Sequence, residues 1–159
     1  MSNLSDTIEY LLKQMLADNE GRIEFTRNDL AERLNCVPSQ ISYVLQTRFT
    51  NGMGYIKESR RGGGGSIRIY QVNFDSPQEH LVHQIQSLPE SLSQQESNLI
   101  IDNLNQQKAI TETYSQIAKA TVSEQALVDV PVAEVGRVRS AILSNVLLTI
   151  LRLEGRSEE

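Results

Sequence analysis

The sequence predicts a mainly α-helical protein with a small β-hairpin, organised as an N-terminal winged helix-turn-helix domain and a C-terminal α-helical dimerisation bundle. Two short helical patterns separated by "NCV", followed by two strand-like segments around four consecutive glycines, predict the first domain. Repeated apolar periodicity predicts the second. A chain of 159 residues that is 39% hydrophobic and 22% charged can bury a core. We expect the two domains to comprise residues 1–74 and 75–159.

The first predicted helix runs from Ser5 to Asp18, because apolar residues recur there at helical spacing. We expect Ser5 or Asp6 to cap its start, and Gly21 follows its end. "RIEF" (22–25) then alternates polar and apolar residues like a short strand. The apolar stripe of the helix consists of Ile8, Leu11, Leu12, Met15 and Leu16.

Two short helices follow. Thr26, with Asp29 three residues later, resembles a helix-capping signal, and this helix ends at "NCV". Pro38 restarts the chain as a helix, since its fixed φ and missing N–H suit the first helical position. The inward faces consist of Leu30, Ala31 and Leu34 in the first helix and Ile41, Val44 and Leu45 in the second.

The outward side of the second helix, residues 38–47, is polar and uncharged, which is typical of a recognition helix. Gln and Ser can pair with base edges, and Tyr and Thr with phosphate oxygens or a thymine methyl. Solvated helix faces usually carry Glu and Lys, although an ordinary helical hairpin with a solvated face stays open as an alternative. The candidate DNA-binding residues here are Ser39, Gln40, Tyr43, Gln46, Thr47 and Arg48.

"KESRRGGGGSIRIYQV" (57–72) predicts a β-hairpin, the wing, with an arginine- and glycine-rich tip. Arginine suits a narrow A·T-rich minor groove, and glycine lets the backbone approach closely. A phosphate-binding loop would instead need Gly-Lys-Ser/Thr opening a helix, and a linker would need separate folding units on either side. A wing that is glycine-rich without function stays open. The candidate DNA-binding residues of the wing are Arg60, Arg61, Gly62, Gly63, Gly64, Gly65 and Arg68.

The net charge of −5 conceals an asymmetry. Residues 33–74 contain six Lys and Arg against one acid, a balance of +5, whereas residues 75–159 contain 12 acids and 6 bases, a balance of −6. A basic segment on an acidic chain favours a polyanion as partner. Charge that is merely uneven is the alternative.

The C-terminal half predicts four helices. Ser76 and Pro77 open it, Ser93 with Glu96 forms a capping box, and Thr111 is expected to cap a third helix. A long final helix is apolar on more than one side, which favours a bundle shared with a partner chain. We expect Pro131 and Gly136 to interrupt the helix there. The apolar positions are Leu81, Val82, Ile85 and Leu88, then Leu99, Ile100, Ile101 and Leu104, then Tyr114, Ile117 and Ala118, then Val138, Ala141, Ile142, Val146, Leu147, Ile150 and Leu151.

The stretches "TRNDLAERLNCVPSQISYVLQTRF" and "GYIKESRRGGGGSIRIYQV" resemble the CtsR family, the repressors of class three stress genes in low-GC Gram-positive bacteria. The resemblance covers roughly residues 5–74 and is looser beyond them. It implies a homodimeric winged-helix repressor of heat-shock genes, chiefly those of Clp proteases and chaperones, bound to a tandem repeat in a double-stranded DNA operator.

The resemblance also implies how the repressor is released. The wing enters the minor groove and responds to temperature, a protein-arginine kinase with its activator inactivates the protein, and Clp protease/ATPase degrades it. Arg60 and Arg61 are the candidate phosphoarginines, with Arg61 the first candidate. Phosphorylation would replace a cation with a group of roughly −2 charge against DNA phosphate.

Other functions find little support in the sequence. No serine-histidine-aspartate set or nucleotide-binding loop indicates an enzyme, and no cofactor is expected. A winged-helix adaptor that binds protein rather than DNA is the alternative function. His80 and His83 could in principle hold a metal, but without a third ligand nearby we expect a solvated pair, and we expect Cys36 to be packed.

The amino terminus "MSNLSDTIEY" has neither a basic nor an apolar signal region, and no apolar run approaches the ~18 residues of a membrane span. We therefore expect a cytoplasmic protein, associated with the nucleoid when bound to DNA, and no membrane partner.

Overall fold

The computed structural model describes residues 3–60 and 65–157, the last three by their backbone alone. The chain divides into two compact units, Met1–Asn73 and Phe74–Glu159. Seven α-helices and a three-stranded antiparallel sheet make up the described part, so the mainly α fold class is confirmed.

The first unit contains three helices, a 3-10 turn and the sheet. The order along the chain is α1 (Leu4–Asp18), β1 (Arg22–Thr26), α2 (Arg27–Arg33), α3 (Pro38–Arg48), the 3-10 turn (Asn51–Met53), β2 (Tyr55–Arg60) and β3 (Ser66–Gln71). The helix-turn-helix and the hairpin therefore lie where the sequence predicts them.

Helix α1 begins earlier than predicted. Its N-cap is Asn3, whose side-chain oxygen accepts the N–H of Asp6 at 2.8 Å, while Asp6 accepts the Asn3 N–H at 3.3 Å. This reciprocal capping box satisfies two N–H groups that have no helical partner. Ser5 is buried instead and is not the cap. By contrast Thr26 caps α2 as predicted, accepting the Asp29 N–H at 3.2 Å.

The sheet has the order β1-β3-β2, so the predicted hairpin gains a third strand. In β1, Glu24 lies opposite Arg68 of β3, and in β2, Glu58 also lies opposite Arg68. Side chains alternate between faces, and the inward face buries Ile67 and Ile69. These pack into a core that contains the large, fully buried side chains Ile8, Leu12, Leu16, Ile41 and Phe49.

The second unit is a helical bundle of α4 (Pro77–Gln86), α5 (Gln94–Gln106), α6 (Glu112–Thr121) and α7 (Val132–Ser157). Both predicted caps are confirmed: Ser93 and Glu96 form a capping box on α5, and Thr111 accepts the Tyr114 N–H on α6 at 3.1 Å. Its core includes Leu81, Leu92, Ile101, Leu104, Ala118, Val122, Leu143 and Leu147.

Gly136 does not interrupt α7, which is a correction to the sequence prediction. Pro131 stands immediately before the helix, whereas Gly136 lies inside its second turn. There the Gly136 carbonyl accepts the Leu92 N–H at 3.0 Å, and a Cβ would collide with the Ser91 hydroxyl. Glycine is therefore present because a loop packs closely against the helix, at a propensity cost of only about 1 kcal/mol.

Arg139 ties three segments of the second unit together. Its guanidinium is buried, and it donates to the Val122 carbonyl and to the Leu92 carbonyl, both at 2.8 Å. Val122 is the C-cap of α6, where the helix dipole favours a cation. Ser140 adds a hydrogen bond from its hydroxyl to the Pro89 carbonyl at 2.5 Å.

Within the described ranges 3–60 and 65–157, no helix is both long enough and apolar enough to cross a bilayer.

Candidate nucleic-acid interface

Helix α3 is held in place by its apolar face. Ile41 and Val44 are fully buried against α1 and α2. At the helix end the rings of Phe49 and Tyr55 meet edge to face with centroids 4.8 Å apart, which packs α3 against β2. The Lys57 ammonium donates to the Leu45 carbonyl at 2.8 Å, a cation at a helix C-terminus. These contacts fix the direction in which the outer face of α3 points.

The outer face of α3 is polar, as predicted, but its residues differ in exposure. Ser39, Tyr43 and Gln46 are exposed, with Tyr43 at 38%. Gln40 is half-buried and donates through Nε2 to the Ser5 hydroxyl at 2.9 Å, and the Thr47 hydroxyl donates to the Tyr43 carbonyl at 2.8 Å. The side chains presented to a partner are therefore chiefly the first three.

Val37, the N-cap of α3, was missed by the sequence analysis. It is 62% exposed beside Ser39, although valine is ordinarily buried. A branched apolar side chain next to a polar recognition face can contact a thymine methyl. Periodicity gave no signal, because Val37 lies outside the helical repeat.

Arg48 is not a free cation. Its Nη1 contacts Asp6 Oδ1 at 2.8 Å and Glu9 Oε1 at 2.5 Å, and its side chain is only 11% exposed. The hydrogen bond from Arg48 lowers the pKa of Asp6. Burial raises the pKa of Glu9, but hydrogen bonds from Arg48 and Lys13 outweigh it and the net shift is downward. Arg48 thus joins α3 to α1, and its charge is compensated within the unit.

The base of the wing is fixed at Gly65. This residue has φ +80°, a left-handed conformation that favours glycine, and its carbonyl accepts the Arg27 N–H at 3.0 Å. Gly65, directly before β3, is therefore held beside the start of α2. Arg27 could not be predicted from the sequence to hold the wing, because nothing in its local pattern reveals a contact 38 residues away.

Arg68 lies at the outer face of the sheet between two carboxylates. Its Nε donates to Glu24 Oε2 at 3.1 Å, and the Ser66 hydroxyl donates to Glu24 Oε1, also at 3.1 Å. The hydrogen bonds from Ser66 and Arg68 lower the pKa of Glu24, and the hydrogen bond with Glu24 raises the pKa of Arg68. Arg68 is therefore half-exposed and forms an ion pair with Glu24.

Arg60 ends β2 at the edge of the hairpin, opposite Ser66, and is exposed. The other predicted wing-tip residues, Arg61, Gly62, Gly63 and Gly64, lie outside the described residues. Of the six bases counted in segment 33–74, Arg48, Lys57 and Arg68 are engaged with acceptors inside the unit. The charge count therefore overstates the cations available to a partner.

In the second unit, α6 and α7 enclose an apolar groove of about 420 Å³. Ile117, one of the apolar positions noted in the sequence, is 54% exposed at this groove, and Leu153 is 46% exposed. Contiguous exposed apolar side chains of this kind make the groove a candidate interaction surface. The groove is lined by Tyr114, Ile117, Ile142, Asn145, Val146, Thr149, Ile150 and Leu153.

The histidines on α4 differ in exposure: His80 is buried, contrary to the prediction of a solvated pair, whereas His83 is half-exposed. His80 is only 4% exposed and stacks on the Phe74 ring with centroids 4.5 Å apart, while His83 lies at 5.2 Å from the same ring. A group of three or more His, Cys, Asp or Glu able to hold a metal is absent from the described residues. The pair instead anchors the segment that enters α4. Cys36 is half-buried in the turn before α3.

The three helices and three-stranded sheet of the first unit define a winged helix-turn-helix domain, followed by a helical bundle. The family model for the CtsR N-terminal HTH domain matches residues 3–73, and that for the CtsR C-terminal dimerization domain matches residues 76–148. The chain therefore belongs to the CtsR family.

Relatives agree with this assignment. The transcriptional regulators CtsR of Staphylococcus saprophyticus and of Staphylococcus aureus strain USA300 are each 40% identical over 128 residues, which covers 80% of this chain and 84% of theirs. A solved structure, the crystal structure of CtsR in complex with a 26bp DNA duplex, matches with a TM-score of 0.77 and 34% identity. The match covers 94% of this chain and 99% of that one.

Proposed function

We propose that this protein is a DNA-binding transcriptional repressor that places α3 in the major groove and the wing in the minor groove. The observation that carries the proposal is the exposed, uncharged polar face of α3 on the same unit as an arginine-bearing hairpin. Such a face reads base edges, whereas basic side chains at its margin contact phosphate. The relative solved with a DNA duplex supports the same role.

Residues 1–74 would then form the DNA-binding domain. On α3 the base-reading residues are Ser39, Tyr43 and Gln46, with Val37 beside them and Gln40 and Thr47 in supporting positions. In the wing, Arg60 and Arg61 would enter the minor groove, where the negative potential of narrow A·T-rich DNA attracts arginine. Glycines 62 to 65 would let the backbone approach the groove walls.

Residues 75–159 would form the dimerisation domain, and the groove between α6 and α7 is our candidate contact surface. Its apolar lining gains free energy when covered by an identical surface, at about 25 cal/mol per Å² of apolar area. The occupant is a second copy of the chain, which agrees with the dimerization domain matched over residues 76–148. Two DNA-binding domains would then engage the tandem repeat.

Control of stress genes, chiefly those for Clp proteases and chaperones, would follow from release of the wing. Heating disfavours an ordered glycine-rich tip, because glycine loses the most conformational entropy on ordering. Phosphorylation of Arg60 or Arg61 by a protein-arginine kinase and its activator would put negative charge against DNA phosphate. Clp protease/ATPase would then degrade the released repressor in the cytoplasm.

The proposal is tested with a fluorescent promoter fragment carrying the tandem repeat, measured at two temperatures against a scrambled fragment. We expect tight binding to the repeat that weakens on heating in wild type and is lost or altered in Gly63→Pro. Weak binding that ignores sequence would reject the repressor and favour a winged-helix adaptor. Equal operator affinity of phosphorylated and unmodified protein would reject control by phosphoarginine.

A further inference from the structure

We propose that Glu24 is a built-in competitor of DNA phosphate: its carboxylate holds Arg68 in the free protein and releases it to the DNA backbone on binding. Glu24 would thereby be a positioning residue that limits affinity for DNA of any sequence. The inference rests on the proposed DNA-binding function and adds a residue that neither the recognition helix nor the wing tip contains.

The geometry places one carboxylate against the wing strand. Glu24 stands directly opposite Arg68 in the β1–β3 register, and its two oxygens accept from Arg68 Nε and from the Ser66 hydroxyl at 3.1 Å each. Arg60, opposite Ser66 on β2, adds to the electrostatic field that lowers the pKa of Glu24. The carboxylate therefore stays ionised and lies among the wing cations.

Exchange of this carboxylate for phosphate requires little rearrangement. Glu24 and Arg68 side chains are 51% and 32% exposed, and an ion pair this exposed contributes little to stability. Guanidinium groups bind phosphate and carboxylate oxygens with the same planar geometry. Arg68 can thus change partner by a side-chain rotation while β3 keeps its ladder.

The sheet supplies a matched control. Glu58 on β2 also stands opposite Arg68, is exposed, and carries the same charge. Among the ion pairs that the described residues form, that of Arg68 is with Glu24. Removing the charge of Glu58 therefore reproduces the general electrostatic effect on DNA while Arg68 keeps its hydrogen-bond partners Glu24 and Tyr70.

The experiment is a double-mutant cycle of Glu24→Gln and Arg68→Gln, with Glu58→Gln made in both backgrounds. Affinity is measured by fluorescence anisotropy for operator and for unrelated duplex DNA at several salt concentrations. We expect Glu24→Gln to tighten both complexes about two- to fivefold beyond Glu58→Gln. The slope of log affinity against log salt should steepen by up to about 0.9, one released counterion. Both effects should vanish in the Arg68→Gln background.

The outcomes separate this inference from the proposed function. If wild type binds no DNA fragment, the proposed function fails first. If wild type binds DNA, three results would overturn the competitor role. Glu24→Gln could have the same DNA affinity as Glu58→Gln, it could bind DNA more weakly than wild type, or its effect on affinity could be equally large in the Arg68→Gln background. If Glu24→Gln does not fold, the NMR resonance of the Arg68 Nε–H group in wild type is followed during titration with DNA. We expect this resonance to shift, and an unchanged resonance would contradict exchange of the Arg68 partner.

Discussion

Arg48, which the sequence predicts to contact DNA, links α3 to α1 through its ion pairs with Asp6 and Glu9. We predict that Arg48→Met destabilises the fold by about 1–3 kcal/mol, because two carboxylates lose their partner and Glu9 is half-buried. Urea unfolding measures this. Lys13→Met is the control, since Lys13 pairs with Glu9 in a partly buried i,i+4 arrangement within α1, worth about a few tenths of a kcal/mol. Equal losses for the two variants would contradict the account.

The same cluster predicts an acid dependence. Asp6 and Glu9 have folded pKa values below their ordinary 3.8 and 4.5. The stabilising contribution of these two carboxylates to the free energy of unfolding is therefore fully present above pH 3.8 and 4.5, and it is lost as the pH falls through the lower folded pKa values. The stability difference between wild type and Arg48→Met should shrink on acidification below about pH 4.5, measured by urea unfolding at each pH. A constant difference would show that the ion pairs contribute nothing.

Gly65 is required by its backbone conformation, which only glycine adopts freely. We predict that Gly65→Ala costs about 1–2 kcal/mol, because φ is +80° and an added Cβ strains it, and that Gly65→Asn costs less. Gly21→Ala is the matched control at φ +83° in the α1–β1 turn. Both alanine variants should lower the urea midpoint, but only Gly65→Ala should weaken binding to the operator. An equal binding loss in Gly21→Ala would indicate a global effect.

At the scale of elements, α7 is anchored by one buried cation. We predict that Arg139→Met destabilises the protein by about 1.5–3 kcal/mol, because the carbonyls of Leu92 and Val122 lose a charged donor. Arg137→Met, exposed on the same helix, makes the same charge change and should stay near wild type. Thermal unfolding of the full chain compares them. Similar melting temperatures for both variants would mean that Arg139 does not act as an anchor.

Elements defined by local chemistry could be predicted from the sequence. Proline at the first position fixes the start of α3, the Ser93–Glu96 box fixes α5, and the tetraglycine segment separates two strands. What escaped prediction depends on distant contacts. The pairing of β1 with β3 joins residues 40 to 48 positions apart, and Gly136 stays helical because the 91–92 loop packs against it.

The candidate site shows the same difference between features set by local sequence and features set by distant contacts. The polar face of α3 could be predicted because helical periodicity assigns each residue a side. The sequence could not show which cations are available to a partner. A charge count treats Arg48 and Arg68 as free, whereas acids on α1 and β1 neutralise them. Val37 and Glu24 were missed because their importance depends on tertiary neighbours.

For the whole molecule, we predict that Ile117→Lys weakens the dimer at least tenfold, because burying one large apolar side chain contributes about 1.5–3 kcal/mol. Val128→Lys is the control: Val128 is 75% exposed in the same unit but does not line the groove. Sedimentation equilibrium measures both. Wild-type affinity in Ile117→Lys, or a monomeric wild type at micromolar concentration, would exclude this groove as the dimer surface.

The measurement that tests the central claim most directly is anisotropy of wild type and Gln46→Ala on the operator fragment and on scrambled DNA. Gln46 is exposed on α3 and lies outside its buried apolar face, so the substitution leaves the fold intact. We predict a loss of about 1–3 kcal/mol on the operator and almost none on scrambled DNA, because a base contact is removed while phosphate contacts persist. If Gln46→Ala binds each of the two fragments with the same affinity as wild type, the assignment of α3 as the recognition helix is contradicted.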